Sequence, residues 1–270
     1  LFRSNTCEIV RSRAVSLGLR FLGVGSAQSP QLGSACGVLE RDGVPLLMID
    51  CGAEALSSYL DHYGEAPRAI YITHTHMDHV GGLERLFYKV YFDGNLRGHV
   101  RIHAHAALVP LLQARIADYP EVLAEGGANF WDAFGLIPVS RGFWCDGFWF
   151  DVFATRHHAP NTSFGISLGG SFVWTGDTRP IPEMLSVYAA HDEMVAHDCT
   201  VSGNPSHTGL DDIEREYPAE LRSRLVLYHY ASEADAAAMQ ARGFRAARRG
   251  EVVAWAAPQS RVPATAQPGC

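Results

Sequence analysis

The stretch AIYITHTHMDHVGG, residues 69–82, decides the predicted fold. An apolar run is followed within six positions by three imidazoles and a carboxylate, those of His74, His76, Asp78 and His79. Transition metals in proteins are held by several such side chains that converge at about 2.0–2.2 Å. On a loop after a strand, His74 and His76 leave toward one site while Asp78 and His79 point at another. The stretch therefore predicts parts of two metal coordination shells.

Further ligands are expected later in the chain, because four side chains cannot complete two shells. RHHAPNTSFG offers His157 and His158, WTGDTRP offers Asp177, and LVLYHYA offers His229. Each of these groups follows or ends an apolar run that is typical of a strand.

A predicted hairpin brings two of these candidates together. FGISL and SFVWTGD flank a turn at residues 169–170, which places Asp177 opposite position 162, close to His158. A carboxylate at that point can bridge two metal ions about 3.5–4 Å apart. The alternative for Asp177 is an ordinary turn aspartate.

Composition favours a globular protein and no membrane role, and it leaves a local basic groove for nucleic acid open. The net charge of −7 argues against non-specific nucleic-acid binding as the main activity. We find no stretch near the ~20 apolar residues that span a bilayer. The six cysteines are scattered without a framework, which favours reduced thiols and a cytoplasmic location.

Strands and helices alternate in both halves of the chain, which predicts an α/β fold with a two-sheet core covered by helices. We expect an N-terminal extension (1–17), one hydrolase domain (18–256) and a flexible C-terminal tail (257–270). No structure is assigned to residues 121–147, which could form an active-site lid or a partner surface. Predicted helices cover 53–63, 82–91, 107–119 and 232–241; predicted strands cover 18–27, 35–40, 44–50, 68–73, 100–105, 148–155, 164–168, 171–177, 224–230 and 251–257.

The ordered motifs resemble those of the metallo-β-lactamase fold superfamily. They are HTHMDH, a later histidine, Gly-Asp before TRP, and a strand-end histidine. The resemblance implies an αββα sandwich of two mixed sheets, with metals at one edge. His158 is preferred to His157 because HAPNTSFG resembles the superfamily's H-x-P…G run. The implied ligands are His74, His76 and His158 for the first metal, Asp78, His79 and His229 for the second, and Asp177 as the bridge.

Two further features resemble the ribonuclease Z-like phosphodiesterase branch. GDTRP is similar to its Asp-Thr motif, and His207 lies 22 residues before His229, where that branch carries His-Ser-Thr. The order here is Ser-His-Thr-Gly, so the match is partial. The alternative places His207 beside a helix cap formed by Thr208 with Asp211.

The resemblance implies a small substrate. Members that process transfer RNA have a long arm between the third histidine and the bridge, whereas Asp177 follows His158 by only 19 positions here. Transfer RNA is therefore not expected as a partner. Smaller relatives that open cyclic nucleotides or cyclic phosphodiesters match this layout, and they imply a homodimer.

The implied cofactors are two divalent metal ions, zinc first, with manganese or iron as alternatives. A hydroxide that bridges the two ions would attack phosphorus in line. The predicted catalytic residues are Asp78 and His207, and His207 would protonate the departing alkoxide. Arg179 is either a phosphate contact or a surface ion pair.

Some other polar residues near predicted strand ends are expected to support the site or to stay outside it. His197 and Asp198 are candidates to orient a ligand, and Asp50 is expected to be structural. His103 and His105 alternate along a strand without partner spacing and are expected not to bind metal.

Two rival functions stay open. The same fold could hydrolyse a carboxylic ester, lactone or thioester, although such enzymes need no proton donor at the place of His207. The chain could also be a non-catalytic metal-binding sensor, although intact ligands at every slot argue against that.

Overall fold

The computed structural model describes residues 16–116, 118–123 and 126–256. The predicted tail and most of the predicted N-terminal extension lie outside these residues. Ser16 and Leu17 are described and already belong to the first strand, two residues before its predicted start. The division into extension, domain and tail stays a prediction.

Sixteen strands are present among the described residues. The first eight are β1 (Ser16–Gly23), β2 (Cys36–Arg41), β3 (Val44–Ile49), β4 (Ala69–Ile72), β5 (Val100–His105), β6 (Asp118–Leu123), β7 (Gly126–Asn129) and β8 (Phe134–Val139). The others are β9 (Gly142–Cys145), β10 (Phe148–Ala154), β11 (Phe164–Leu168), β12 (Phe172–Trp174), β13 (Met194–Asp198), β14 (Leu225–Tyr228), β15 (Arg245–Ala246) and β16 (Val252–Ala256).

The helices, apart from two short 3-10 turns, also alternate with strands along the chain. They are α1 (Ala53–Tyr63), α2 (Met77–Val80), α3 (Leu83–Tyr91), α4 (Val109–Ile116), α5 (Phe130–Ala133), α6 (Pro182–Tyr188), α7 (Leu210–Glu216), α8 (Ala219–Arg222) and α9 (Glu233–Ala241). As its spacing predicts, α1 buries Ala55, Leu56 and Tyr59 on one face.

Fourteen strands form two mixed sheets with the same plan. The first has the order β16-β1-β2-β3-β4-β5-β8 and the second β15-β14-β13-β12-β11-β10-β9. In each sheet, antiparallel neighbours on one side give way to parallel neighbours on the other. The predicted α/β fold with two mixed sheets is confirmed.

The core lies between the two sheets. Phe21 of β1 lies 5.7 Å from Trp174 of β12 and 6.5 Å from Tyr228 of β14, measured between ring centroids. A Cβ at Gly37 would come within 2.8 Å of the Trp174 ring, so only glycine leaves room for that indole. Close packing of this kind fixes the two sheet edges relative to each other.

Parallel strands expose their carboxyl ends at one rim. β4 ends at Ile72, β12 at Trp174, β13 at Asp198 and β14 at Tyr228, so the residues that follow them leave the sheets nearby. A bridge between His74 and Ser163 joins the two sheets at this rim. The fold thus gathers polar loops from distant parts of the chain.

Two predicted segments differ from the structure. The predicted helix 107–119 ends at Ile116, and β6 follows from Asp118, pairing with β7. The unassigned stretch 121–147 contains β7, α5, β8 and β9, and β8 completes the first sheet beside β5. Among the described residues, no helix combines the length and the apolar character needed to traverse a bilayer.

Candidate metal centre

The histidine-rich loop divides as its spacing predicts. His76 has an extended backbone (φ −70°, ψ 151°) and caps α2, so it lies with His74 before the helix begins. Asp78 and His79 lie inside α2, and their side chains belong to a different group of possible ligands from those of His74 and His76. The change from extended to helical backbone therefore separates the two pairs.

Asp50 holds the second pair in place. Its carboxylate is fully buried at the end of β3 and lies 2.8 Å from His79 Nδ1. The Thr73 N–H and hydroxyl both donate to it at 2.8 Å. Because Nδ1 of His79 contacts Asp50, its Nε2 faces the cluster. Carboxylates commonly orient metal-binding imidazoles in this way.

Two groups of four side chains bring their ligand atoms together. Within each group, all of these atoms lie within 4.8 Å of one another. The first group is His74, His76, His157 and Asp177, and the second is Asp78, His79, Asp177 and His229.

Asp177 belongs to both groups. Its Oδ2 lies 3.2 Å from His229 Nε2 and 3.4 Å from His79 Nε2 on one side. On the other side it lies 3.7 Å from His74 Nε2 and 3.9 Å from His157 Nε2. One carboxylate oxygen thus stands between four imidazoles, as a bridging ligand would.

The cluster fits divalent cations because it leaves buried polar atoms without hydrogen bonds. Such atoms are normally paired, since each one left unpaired costs about 1–3 kcal/mol. A divalent cation would satisfy them together. They include His74 Nε2, His79 Nε2, Asp177 Oδ1 and His229 Nε2.

The two groups differ in charge. Burial lowers the pKa of His74 well below its ordinary value, and burial lowers the pKa of His157 to about 4. Burial opposes protonation in the second group too, but Asp177 and its neighbouring carboxylates raise the pKa of His79 well above normal and that of His229 to about 10. The first group therefore offers neutral imidazoles, whereas cation binding at the second releases protons.

The structure brings His157, in place of His158, to the first group. His157 is buried, and its Nδ1 lies 2.9 Å from the Ser206 carbonyl oxygen, which turns Nε2 toward Asp177. His158 has a left-handed backbone (φ 53°) and is exposed, with Nδ1 3.4 Å from Ser206 Oγ. This geometry favours His157 over His158 as the third histidine of the first group, and the assignment of the ligand stays a prediction.

Replacing His157 by alanine should weaken metal binding far more than the same change at His158. Even residues that only orient ligands cost about 10- to 100-fold in affinity when lost, so a ligand should cost at least that. The measurement is metal content after dialysis, with affinity from chelator competition. Normal affinity in His157→Ala together with loss in His158→Ala would restore the preference drawn from the motif.

His207 lies beside the second group with a fixed ring. Its Nδ1 lies 2.9 Å from Asp198 Oδ2, and its ring stacks on His229 with centroids 4.9 Å apart. Burial works against protonation, but the hydrogen bond to Asp198 raises the pKa of His207 above its ordinary value. Nε2 of His207 makes no hydrogen bond within the described part of the chain. Together with His229 and Asp198 it also forms a third group that could hold a cation.

Of His197 and Asp198, the two candidates to orient a ligand, Asp198 makes the contacts that this role needs. It contacts His207 and lies 3.4 Å from His229 Nδ1, while the Thr178 N–H donates to it at 2.9 Å. His197 instead contacts the Tyr217 hydroxyl at 2.7 Å, away from the cluster. The helix cap near His207 lies one residue later than the predicted pair of Thr208 and Asp211. Gly209 precedes α7, and its N–H donates to Asp212.

Other predicted residues lie outside the two groups. His103 stacks on Phe143 and His105 on Phe164, and neither belongs to a ligand group among the described residues. Nε of Arg179 donates to the Arg156 carbonyl at 3.3 Å instead of entering the site. The Ser206 carbonyl was not among the predicted site groups, because no side-chain pattern reports a main-chain acceptor.

Comparison with known proteins supports a family assignment. The family model described as "Anti-Pycsar protein Apyc1" matches residues 17–253. A protein of that name from Saccharibacillus brassicae is 29% identical over 223 residues, covering 80% of this chain and 90% of the relative.

Solved structures share the fold. The metallo-β-lactamase fold protein YhfI from Bacillus subtilis superposes with a TM-score of 0.69 at 14% identity, over 89% of this chain and all of that chain. A diphosphatase from the PhnP family gives 0.65 at 17% identity, over 88% and 97%. The predicted metallo-β-lactamase fold is confirmed.

Proposed function

The chain belongs to the anti-Pycsar protein Apyc1 family and is a metal-dependent, phosphodiesterase-like hydrolase, and from this premise we propose that it hydrolyses small cyclic phosphodiesters. The first candidates are 3′,5′-cyclic nucleotides, cyclic pyrimidine nucleotides among them. The observation that carries the proposal is the position of Asp177 between two groups of imidazoles, with the fixed acid His207 beside them.

Two divalent ions in this cluster, zinc first, would supply Lewis acidity and lower the pKa of a coordinated water toward ~7. The side chains that would hold them are His74, His76 and His157 on one side, Asp78, His79 and His229 on the other, and Asp177 between. A phosphodiester substrate is an anion, so cations bound at this metal centre would attract it.

Asp78 and His207 have separate roles in this proposal. Burial opposes ionisation of Asp78, but the neighbouring His79 and His229 hold its pKa well below the usual range. Asp78 therefore remains a carboxylate that binds cations and does not donate protons. His207, protonated with the help of Asp198, is the group that can give a proton to the departing oxygen.

A small substrate fits the surroundings of the site. The chain between His157 and Asp177 forms only the turn at the sheet edge and the β11–β12 hairpin. Two cavities flank His76, one of about 200 Å³ and one of about 490 Å³. The larger space suits a nucleotide, and transfer RNA is not a proposed substrate.

A substrate panel tests the proposal. The protein, reconstituted separately with zinc, manganese and iron, is assayed with bis-p-nitrophenyl phosphate, 2′,3′- and 3′,5′-cyclic nucleotides, a lactone and a thioester. We expect the highest kcat/KM on a cyclic nucleotide, with close to two metal ions per chain. Activity confined to the lactone or thioester would replace the proposal by carbon-ester hydrolysis.

The same experiment also tests the alternative that the chain is a non-catalytic sensor. A protein that binds cyclic nucleotides but turns over none of the panel in any metal form would be a non-catalytic receptor. Two further predictions stay attached to the proposal, a homodimer and a cytoplasmic location. The four described cysteines, which are buried free thiols, support the second.

A further inference from the structure

A cavity of about 490 Å³ opens beside the second group of ligands. Its volume lies in the range of ~300–1,000 Å³ that is usual for small-molecule pockets, whereas the neighbouring cavity of about 200 Å³ is smaller. The larger cavity reaches the metal centre through His76 and Asp78. Beyond them, its wall carries hydroxyls and a carboxylate from Ser26, Ser34 and Glu54.

Glu54 presents a fixed acceptor to this cavity. It lies in the first turn of α1, where the helix favours a negative charge. The Ser34 hydroxyl donates to its Oε2, while Oε1 has no hydrogen bond or ion pair with any described residue. An ionised carboxylate only accepts hydrogen bonds, so a ligand at Oε1 must bring a donor.

This acceptor is held close to the metal centre. Gly52 lies two residues before Glu54, and a Cβ there would come within 2.1 Å of the Asp78 carbonyl oxygen and 2.5 Å of Ser34 Oγ. The backbone around Asp78, the start of α1 and Ser34 are therefore packed without free space. Glu54 cannot shift relative to Asp78 without moving this contact.

Arg115 supplies the opposite charge in the same cavity. It lines both cavities on either side of His76 and makes no ion pair with a described carboxylate. Glu54 and Arg115 thus share one space without neutralising each other. A ligand that carries an anion and a hydrogen-bond donor a few bonds apart satisfies both.

We propose that this cavity binds the ribose of a cyclic ribonucleotide, and that Glu54, positioned by Ser34, accepts a hydrogen bond from the 2′-hydroxyl. This inference rests on the proposed function. In a 3′,5′-cyclic nucleotide the 2′-hydroxyl is the free sugar donor, and it lies next to the phosphodiester that the metal centre would bind. Acidic side chains bind ribose hydroxyls in the same way in dinucleotide sites. The site thereby prefers ribose over 2′-deoxyribose.

The test compares matched ribose and 2′-deoxyribose 3′,5′-cyclic nucleotides on the metal-loaded protein. We expect the native protein to favour the ribose form by about 10- to 100-fold in kcat/KM, the usual range for a hydrogen bond to a charged partner. Glu54→Gln should reduce this ratio and Glu54→Ala should bring it near one, through loss on the ribose substrate alone. Ser34→Ala should lower the ratio in the same direction, which a merely structural role would not do.

Glu84→Gln is the matched control, because Glu84 is also a glutamate in the first turn of a helix, α3, and lines neither cavity. It should leave the ratio unchanged. Binding of non-hydrolysable cyclic phosphorothioates with ribose and deoxyribose gives a readout that does not depend on turnover, and the same preference is expected there.

Failure of the inference and failure of the proposed function look different. A native protein that hydrolyses both sugars equally, or a Glu54→Ala variant that keeps the full preference, overturns the ribose assignment while the activity stands. A change in preference among bases with no change in the sugar ratio also overturns it. If no cyclic nucleotide is hydrolysed, the proposed function fails, and equal binding of the two phosphorothioates would end the inference as well.

Discussion

Replacing Asp177 by asparagine should lower kcat/KM by at least about 10³-fold and reduce the metal content of the purified protein. The carboxylate oxygen lies between four imidazole nitrogens at 3.2–3.9 Å, and no other described side chain belongs to both ligand groups that contain it. The Lewis acidity of bound metals supplies several kcal/mol of transition-state stabilisation, and each 1.36 kcal/mol is tenfold in rate. Asparagine keeps the shape but not the charge that holds two cations together.

The measurement combines metal analysis with kcat/KM on the best substrate of the panel. Asp192→Asn is the control, because Asp192 is an exposed turn aspartate without a described partner. It should change neither quantity. If Asp177→Asn retained two metals per chain and activity within tenfold of the native protein, the bridging role would be wrong.

Replacing His207 by alanine should lower kcat by about 10²- to 10⁴-fold, the usual contribution of a general acid. Metal content should be unchanged, because His207 lies outside both ligand groups that contain Asp177. The loss should shrink on bis-p-nitrophenyl phosphate, whose leaving group departs as a stable phenolate and needs little protonation. A cyclic nucleotide releases an alkoxide and should show the full loss.

This dependence on the leaving group separates proton donation from other roles of His207. A loss of metal in His207→Ala would instead make it a ligand of the third group, with Asp198 and His229. An equal loss on both substrates would make it a positioning residue only. His191→Ala, at an exposed histidine in the turn before β13, should leave both rates intact.

The local part of the metal centre follows from residue order. HTHMDH places His74, His76, Asp78 and His79 on one loop whatever surrounds it, because neighbours in sequence stay neighbours in space. The hairpin between β11 and β12 brings Asp177 close to the His157–His158 turn by pairing alone, whereas the bridge between His74 and Ser163 joins it to the histidine-rich loop of the other sheet. Its register differs by one residue from the prediction, so that Ser163, and not Thr162, contacts Asp177 through the hydroxyl at 3.3 Å from the carbonyl oxygen.

The choice between His157 and His158 could not follow from residue order. Both are histidines at adjacent positions, and they differ only in what distant segments offer them. The carbonyl of Ser206, which lies 49 residues away in sequence, fixes His157, while a left-handed backbone directs His158 outward. The motif resemblance favoured His158, which the geometry leaves outside the ligand group, because a motif compares residue types and not backbone torsions.

The prediction of secondary structure is wrong or missing in the segment where tertiary packing determines the backbone conformation. Leu111 to Ile116 form the last turns of α4, but the chain then extends into β6, against the helical pattern that continues to residue 119. β8 was unassigned from sequence although it pairs along its whole length with β5. A strand at that place gains its hydrogen bonds from a partner some thirty residues away, which its own composition does not report.

The sequence by itself determined the class of protein: two sheets, a histidine-rich loop at a strand end, and a set of ligands that suits divalent cations. It could do so because apolar periodicity and short motifs are properties of adjacent residues. Only the tertiary structure decided which imidazoles converge on Asp177, that Asp198 orients His207, and that Glu54 and Arg115 face one cavity without an ion pair between them. These relations arise when separate strand ends meet at one rim, since distances across the fold depend on the packing of the whole core.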